Sequence, residues 1–145
     1  MTQQAVVFKP KKFLRILTSS SIWLRSMQDL PILIAIVGFT LMGIGAIAKP
    51  TLVTAQFGIR ELTPAGRNEV RGVYGGFGLF MALALLVAIR QPELRDGILF
   101  TVGVALGGMA TGRLVSAVID RAIDRAPLGY LVLEVILAVM LLAVA

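Results

Sequence analysis

Four long apolar runs, each of the length needed to cross a bilayer, constrain this chain more than any other feature of its sequence. They cover residues 31–48, 72–89, 97–119 and 128–145, and their only charged residues are Arg113 and Glu134. About 20 predominantly apolar residues cross the hydrocarbon core as a helix, and lipid leaves no partner for unpaired backbone groups. The pattern predicts an all-α fold, an integral membrane four-helix transmembrane bundle.

Composition supports this class and excludes several kinds of chemistry. Hydrophobic residues make up 57% of the 145 residues and the mean hydropathy is +0.89, more apolar surface than one soluble core of this size can bury. The net charge of +6 is spread over short loops and an N-terminal arm, which favours anionic lipid headgroups over nucleic acid as partners. Cysteine and histidine are both absent, so disulfides, thiolate nucleophiles, imidazole bases and histidine-ligated haem are excluded.

Residues typical of helix starts refine the predicted bounds of the four spans. Thr63 followed by Pro64 is typical of an N-cap with proline in the first turn, so the second helix is predicted to begin before its apolar run. Pro50, Pro92 and Pro127 lie between runs, where a missing backbone donor costs least. The predicted spans are about 31–48, 68–90, 97–121 and 128–145, all in one domain of residues 31–145.

Residues 1–30 form a basic N-terminal arm with apolar residues at near-helical spacing. Such an arm is predicted to form an amphipathic helix lying in the membrane interface. The alternative is a frayed basic tail that only sets topology. The residues expected at the membrane surface are Lys9, Lys11, Lys12, Arg15, Trp23 and Arg25.

Orientation follows from the basic residues flanking the spans. With a cytoplasmic N-terminus, that side carries seven basic residues and the other side six. Because the leading flank of the first span is strongly basic, both termini are predicted to be cytoplasmic.

Consecutive spans bring the few polar residues of the helices to one leaflet. Arg113 and Glu134 lie at comparable distances from the turn at residues 124–127, so an antiparallel helix pair would let the two charges meet. An ionisable side chain at this depth costs about 2.5 to 3.5 kcal/mol and is by default a functional candidate. Glu69 is predicted to face the bundle, and the opposite half of the bundle is expected to be nearly free of charge. The candidate polar or ligand site comprises Glu69, Arg71, Arg113, Ser116, Asp120 and Glu134.

Small residues near these charges suggest where helices approach closely. Glycines four residues apart present one small face of a helix, which promotes packing in lipid. The glycines predicted to pack are Gly72 and Gly76 on the second helix, and Gly108 and Gly112 on the third.

Three segments together resemble a known pattern: the run Arg67–Gly76, the run Gly112–Ser116 followed by Asp120, and Leu133 with Glu134. They resemble an uncharacterised bacterial family of small four-helix membrane proteins, distantly similar to DoxX-like proteins. The resemblance covers residues 31–145 and implies a four-helix transmembrane bundle in the bacterial cytoplasmic (inner) membrane, without an established activity. DoxX-like proteins are often linked to redox or membrane assembly systems, but this chain lacks the cysteines of a thiol-redox role.

Two functions remain open on this sequence. The first is a small accessory or structural subunit that docks on a larger membrane complex, with the Arg113–Glu134 pair fixing helix register. The second is a carrier or binding protein for a lipid, a quinone-like molecule or another small anion, with the same pair as its site. No catalytic constellation, metal site or cofactor is predicted, and an enzyme is not expected; a bound lipid or quinone-like molecule is compatible with the second function.

Overall fold

The computed structural model describes residues 20–145 and their side chains from Met27 onward; most of these residues are helical and none lies in a strand. The predicted arm therefore lies mostly outside the described residues, as do the side chains of Trp23 and Arg25. The helices are α1 (Ser20–Ala48), α2 (Pro50–Thr54), α3 (Pro64–Val70), α4 (Phe77–Arg90), α5 (Pro92–Asp120) and α6 (Arg125–Ala143). A 3₁₀ turn, Ala55–Phe57, follows α2, and a π-helical segment, Arg71–Gly76, joins α3 to α4.

The predicted all-α bundle is confirmed, because four helices in the described part of the chain are long and apolar enough to cross a membrane. They are Met27–Ala48, Pro64–Arg90, Pro92–Asp120 and Arg125–Ala143. The helices extend beyond the apolar runs, since α1 continues through Pro31 and α5 begins at Pro92. Large apolar side chains such as Phe80, Val118 and Ile119 point outward, as expected where lipid covers a bundle.

The second helix begins as its sequence predicts. The Thr63 hydroxyl accepts a hydrogen bond from the backbone N–H of Gly66 at 3.1 Å, and Pro64 occupies the first helical position. An N-cap of this kind satisfies one of the backbone donors that a helix start leaves unpaired.

Packing divides the bundle into two ends of different character. Helix α1 packs along the π-helical segment and α4, while the most extensive helix contact is between α5 and α6; α1 and α6 touch little. At the end where α1 starts, which we call the closed end, there is a continuous apolar core; its largest fully buried side chains among the described residues are Ile32, Leu85, Leu99 and Leu141. At the other end, which we call the open end, the helices leave space between them.

Glycines do mediate close helix contacts, but the predicted ones do not. A Cβ on Gly72, Gly108 or Gly112 would meet nothing within 4 Å, and one on Gly76 would meet only the Arg71 carbonyl at 3.8 Å. That prediction is wrong, because residue spacing shows which glycines share a face but not which face meets a neighbour. The glycines that allow close approach are Gly43, Gly75 and Gly78 between α1 and the second span, and Gly103 between α5 and α6.

Candidate functional site

A bidentate ion pair joins α5 to α6 at the open end. Arg113 Nε donates to both carboxylate oxygens of Glu134, at 2.8 Å to Oε2 and 3.0 Å to Oε1. Arg113 Nη2 donates to Oε1 at 2.8 Å. The fork geometry of guanidinium and carboxylate makes this a strong, directional contact. The structure thus brings together the two intramembrane charges that the sequence predicts to meet.

The pair lies deep within the two helices. Arg113 lies seven positions before the end of α5 at Asp120, which places it about 10 Å inside at 1.5 Å per residue. Glu134 is only 5% exposed, whereas the Arg113 side chain keeps 21% of its surface accessible. A buried carboxylate without its partner would be strongly unfavourable, so the guanidinium compensates it while presenting another edge outward.

Aromatic and amide side chains extend the pair toward the loop after α2. The Arg113 guanidinium carbon lies 5.2 Å from the centroid of the Tyr130 ring, within range of a cation–π interaction. The Tyr130 hydroxyl donates to Gln56 Oε1 at 2.7 Å, and the Tyr130 ring packs at 5.8 Å against that of Phe57. These contacts tie the 3₁₀ turn to the ion pair.

Sequence reasoning missed these three neighbours. Tyr130 precedes Glu134 by four residues on α6 and therefore shares its face, a signal that was available. Gln56 and Phe57 arrive from a loop, and no periodicity indicates where a loop side chain points.

A cavity of about 540 Å³ opens beside the pair. It lies between α1, α2, the π-helical segment, α5 and α6, where α1 and α6 fail to close the bundle. Its walls are mostly apolar, and Gln56, Tyr74, Tyr130 and the Arg113–Glu134 pair supply its polar groups. A largely apolar cleft with a few convergent polar groups is the usual form of a small-molecule site.

A second, more polar cavity of about 550 Å³ lies nearer the tip of the α5–α6 hairpin. Ser116 and Asp120 line it and are joined by a hydrogen bond from the Ser116 hydroxyl to Asp120 Oδ2 at 3.0 Å. Arg113 lines both cavities. Ser116 and Asp120 therefore neighbour the ion pair through this cavity, and their hydrogen bond is to each other.

Glu69 and Arg71 do not join the site. Glu69 is exposed and lines neither cavity, so the prediction that it faces the bundle is wrong. The neighbouring Val70 is buried in its place, since an apolar side chain is buried at far lower cost than a carboxylate. Arg71 instead donates from Nε to the Ile47 carbonyl at 3.1 Å, which satisfies a backbone acceptor in the last turn of α1.

The closed end also carries an ion pair, contrary to the expectation that this half is nearly free of charge. Arg95 Nη1 lies 2.6 Å from Asp29 Oδ1, and Arg95 Nη2 donates to the Gln28 carbonyl at 3.2 Å. Asp29 and Arg95 each stand two residues before an apolar run. That shared position was the available signal, because α1 and α5 start at the same end of the bundle.

Span-length helices, a bundle closed at one end and a deep ion pair beside an apolar cavity define a small helical membrane protein with an internal polar site. Residues 27–145 match the family described as Domain of unknown function (DUF4345). The chain belongs to that family, which confirms the resemblance to an uncharacterised family. Searches of curated proteins and of solved structures give no match.

Proposed function

We propose that the protein binds a membrane-resident amphipathic small molecule in the cavity beside Arg113 and Glu134. The observation that carries this proposal is the position of the ion pair in the wall of an apolar cavity of about 540 Å³. Sites for small molecules span roughly 300 to 1,000 Å³. An ion pair that only joined two helices would not require an adjoining space of this size.

The route into the cavity supports a ligand taken from the lipid. Helices α1 and α6 flank the cavity and touch little, which favours entry between these two spans. Around it the side chains are apolar, including Leu41 and Leu133, both exposed. A molecule that is largely apolar can therefore move from the lipid into the cavity between α1 and α6 while it stays in contact with apolar groups.

Two glycines offer a direct test. A Cβ on Gly45 would meet nothing within 4 Å, and Gly45 lines the cavity; Gly45→Phe should therefore fill the cavity while leaving the helix contacts intact. Gly97→Phe is the matched control, because Gly97 is equally unobstructed and lines neither cavity.

The measurement is mass spectrometry of organic extracts from protein purified in mild detergent. The parent chain and Gly97→Phe should carry the same amphiphile in stoichiometric amount, and Gly45→Phe should lose it. Equal retention by all three proteins, or no bound molecule in any of them, would contradict the proposal. A stoichiometric protein partner in place of a small molecule would support the accessory-subunit role instead.

We further propose that the protein resides in the bacterial cytoplasmic membrane with both termini in the cytoplasm. The basic residues preceding the first span support this orientation. Because the chain has no cysteine, single cysteines report on sidedness without background. Arg60→Cys, in the loop between the first two spans, should react with a membrane-impermeant maleimide in intact spheroplasts, while Gln91→Cys should react only after lysis; the reverse pattern would overturn the orientation.

A further inference from the structure

We propose that the polar end of the bound molecule is a neutral planar ring bearing a carbonyl oxygen, the chemistry of a quinone, and that the site disfavours anions. This inference rests on the proposed binding function and narrows its ligand class. It chooses among the three kinds of ligand that the sequence leaves open, namely lipids, quinone-like molecules and small anions.

Charge balance is the first argument. Among the described residues that line the cavity of about 540 Å³, Arg113 and Glu134 are the only ones with a formal charge, and they are directly paired. An anion that approaches the guanidinium also approaches the Glu134 carboxylate, whose repulsion opposes the attraction in this poorly screened environment. While the fork to Glu134 holds, an anion at the guanidinium therefore gains little net attraction. A neutral acceptor leaves the pair intact.

The free edge of the guanidinium is the second argument. Glu134 engages Nε and Nη2 of Arg113, and Nη1 has no acceptor within the described part of the chain. Its two N–H groups are donors that cannot also accept. Because Arg113 stays partly accessible and lines the cavity, a ligand oxygen with free lone pairs is the group that complements this edge.

Aromatic side chains are the third argument. Among the described residues, five of them line the cavity of about 540 Å³, including both tyrosines of the chain. Aromatic walls favour offset stacking or edge-to-face contact with a flat ring, whereas a saturated acyl chain gains no such directional contact. The five are Phe39, Phe57, Tyr74, Phe77 and Tyr130.

Three probes that share the same decyl chain but differ in their polar group distinguish the contributions of the ring, the carbonyl oxygen and the charge. Decyl-benzoquinone carries the neutral ring carbonyl, decylbenzene carries the ring without oxygen, and decyl phosphate carries an anion. Affinities are measured by calorimetry with the purified full chain in phosphatidylcholine nanodiscs. The quinone should bind at least about tenfold more tightly than either other probe, a difference of about 1.4 kcal/mol.

Glu134→Gln sharpens the test, because it leaves the site with a net positive charge. Decyl phosphate should then gain at least about tenfold relative to the quinone. Arg95→Gln, at an ion pair that lines neither cavity, should leave the order of the three probes unchanged.

The ranking on the parent chain decides the inference even if Glu134→Gln fails to fold. Phosphate binding equal to or tighter than quinone binding overturns the neutral-ligand inference, and decylbenzene binding as tight as quinone binding overturns the oxygen contact. Absence of binding by all three probes also overturns the inference. The proposed binding function is decided separately by the amphiphile that copurifies and its loss in Gly45→Phe.

Discussion

The two ends of the bundle each contain an ion pair, but they differ in how the helices pack around it. In each, an arginine of α5 pairs with a carboxylate of another helix: Arg95 with Asp29 at the closed end and Arg113 with Glu134 at the open end. The closed-end pair stands at the rim of a continuous apolar core and keeps 19% and 25% of its side-chain surfaces exposed. The open-end pair occupies the depth where a core would lie, and a cavity adjoins it.

The ion pair at the closed end lies at the edge of an apolar core. The ion pair at the open end lies at a position where packed apolar side chains would give equal or greater stability. Well-packed apolar side chains often match or exceed the stability of a buried ion pair. The closed end shows that this sequence can build such a core. We therefore attribute the charges at the open end, which adjoin a cavity, to the proposed binding function.

The largest expected effect comes from removing one member of the deep pair. Arg113→Ala leaves Glu134, only 5% exposed, without its partner, and should lower the free energy of unfolding by about 3 to 5 kcal/mol. Unfolding followed by circular dichroism in mixed detergent micelles measures this loss. A loss no greater than that of Arg95→Ala would erase the distinction between the two ends.

A smaller effect is expected where the π-helical segment meets α1. A Cβ on Gly75 would lie 2.6 Å from Ile47 Cγ1, and relieving this overlap should cost about 1 to 3 kcal/mol. Gly72→Ala is the control within the same segment, since its Cβ meets nothing within 4 Å. Melting temperatures of Gly75→Ala and Gly72→Ala should differ clearly; equal values would show that Ile47 moves aside freely.

At the closed end, Arg95→Ala should cost about 1 kcal/mol or less, because ion pairs that keep access to solvent contribute little. Its ligand affinity should equal that of the parent chain, since Arg95 lines neither cavity. The same unfolding and calorimetry measurements apply. A weakened affinity would mean that the two ends are coupled through α5.

The smallest effect is expected from removing the hydrogen bond that joins Gln56, in the 3₁₀ turn after α2, to Tyr130 at the open end. Tyr130→Phe removes the hydroxyl that donates to Gln56 at 2.7 Å and keeps the ring near Arg113. The expected loss is about 0.5 to 1 kcal/mol, typical of one hydrogen bond. Tyr130→Leu removes the ring as well and should lose about 0.5 to 1 kcal/mol more. Equal stability of the two variants would show that the cation–π contact adds nothing.

The spans and the Arg113–Glu134 contact could be predicted because both follow from positions along the sequence: the length of each apolar run and the distance of each charge from the turn. A predominantly apolar run of bilayer length predicts a helix, and antiparallel neighbours place residues at equal distances from their shared turn at similar depth. The same logic applied to the helix starts would have paired Asp29 with Arg95, which stand at matching positions before their runs.

Helix rotation and loop placement could not be predicted in the same way. The π-helical segment at residues 71–76 interrupts the 3.6-residue period on which the assignments of Glu69, Gly72 and Gly76 depended. Gln56 reaches the site because the loop after α2 folds back over α6, and nothing in its local sequence indicates that path. The cavity itself results from the weak contact between α1 and α6, which are the helices farthest apart in sequence.

The most direct test replaces the deep pair with apolar residues of similar size, in the double variant Arg113→Met, Glu134→Leu, and measures binding of the decyl-benzoquinone probe by calorimetry in nanodiscs. The account predicts a free energy of unfolding within about 1 kcal/mol of the parent chain, because the apolar pair needs no charge compensation, together with loss of measurable binding. A double variant that folds equally well and binds the probe with parental affinity would contradict the claim that these two residues form the ligand site.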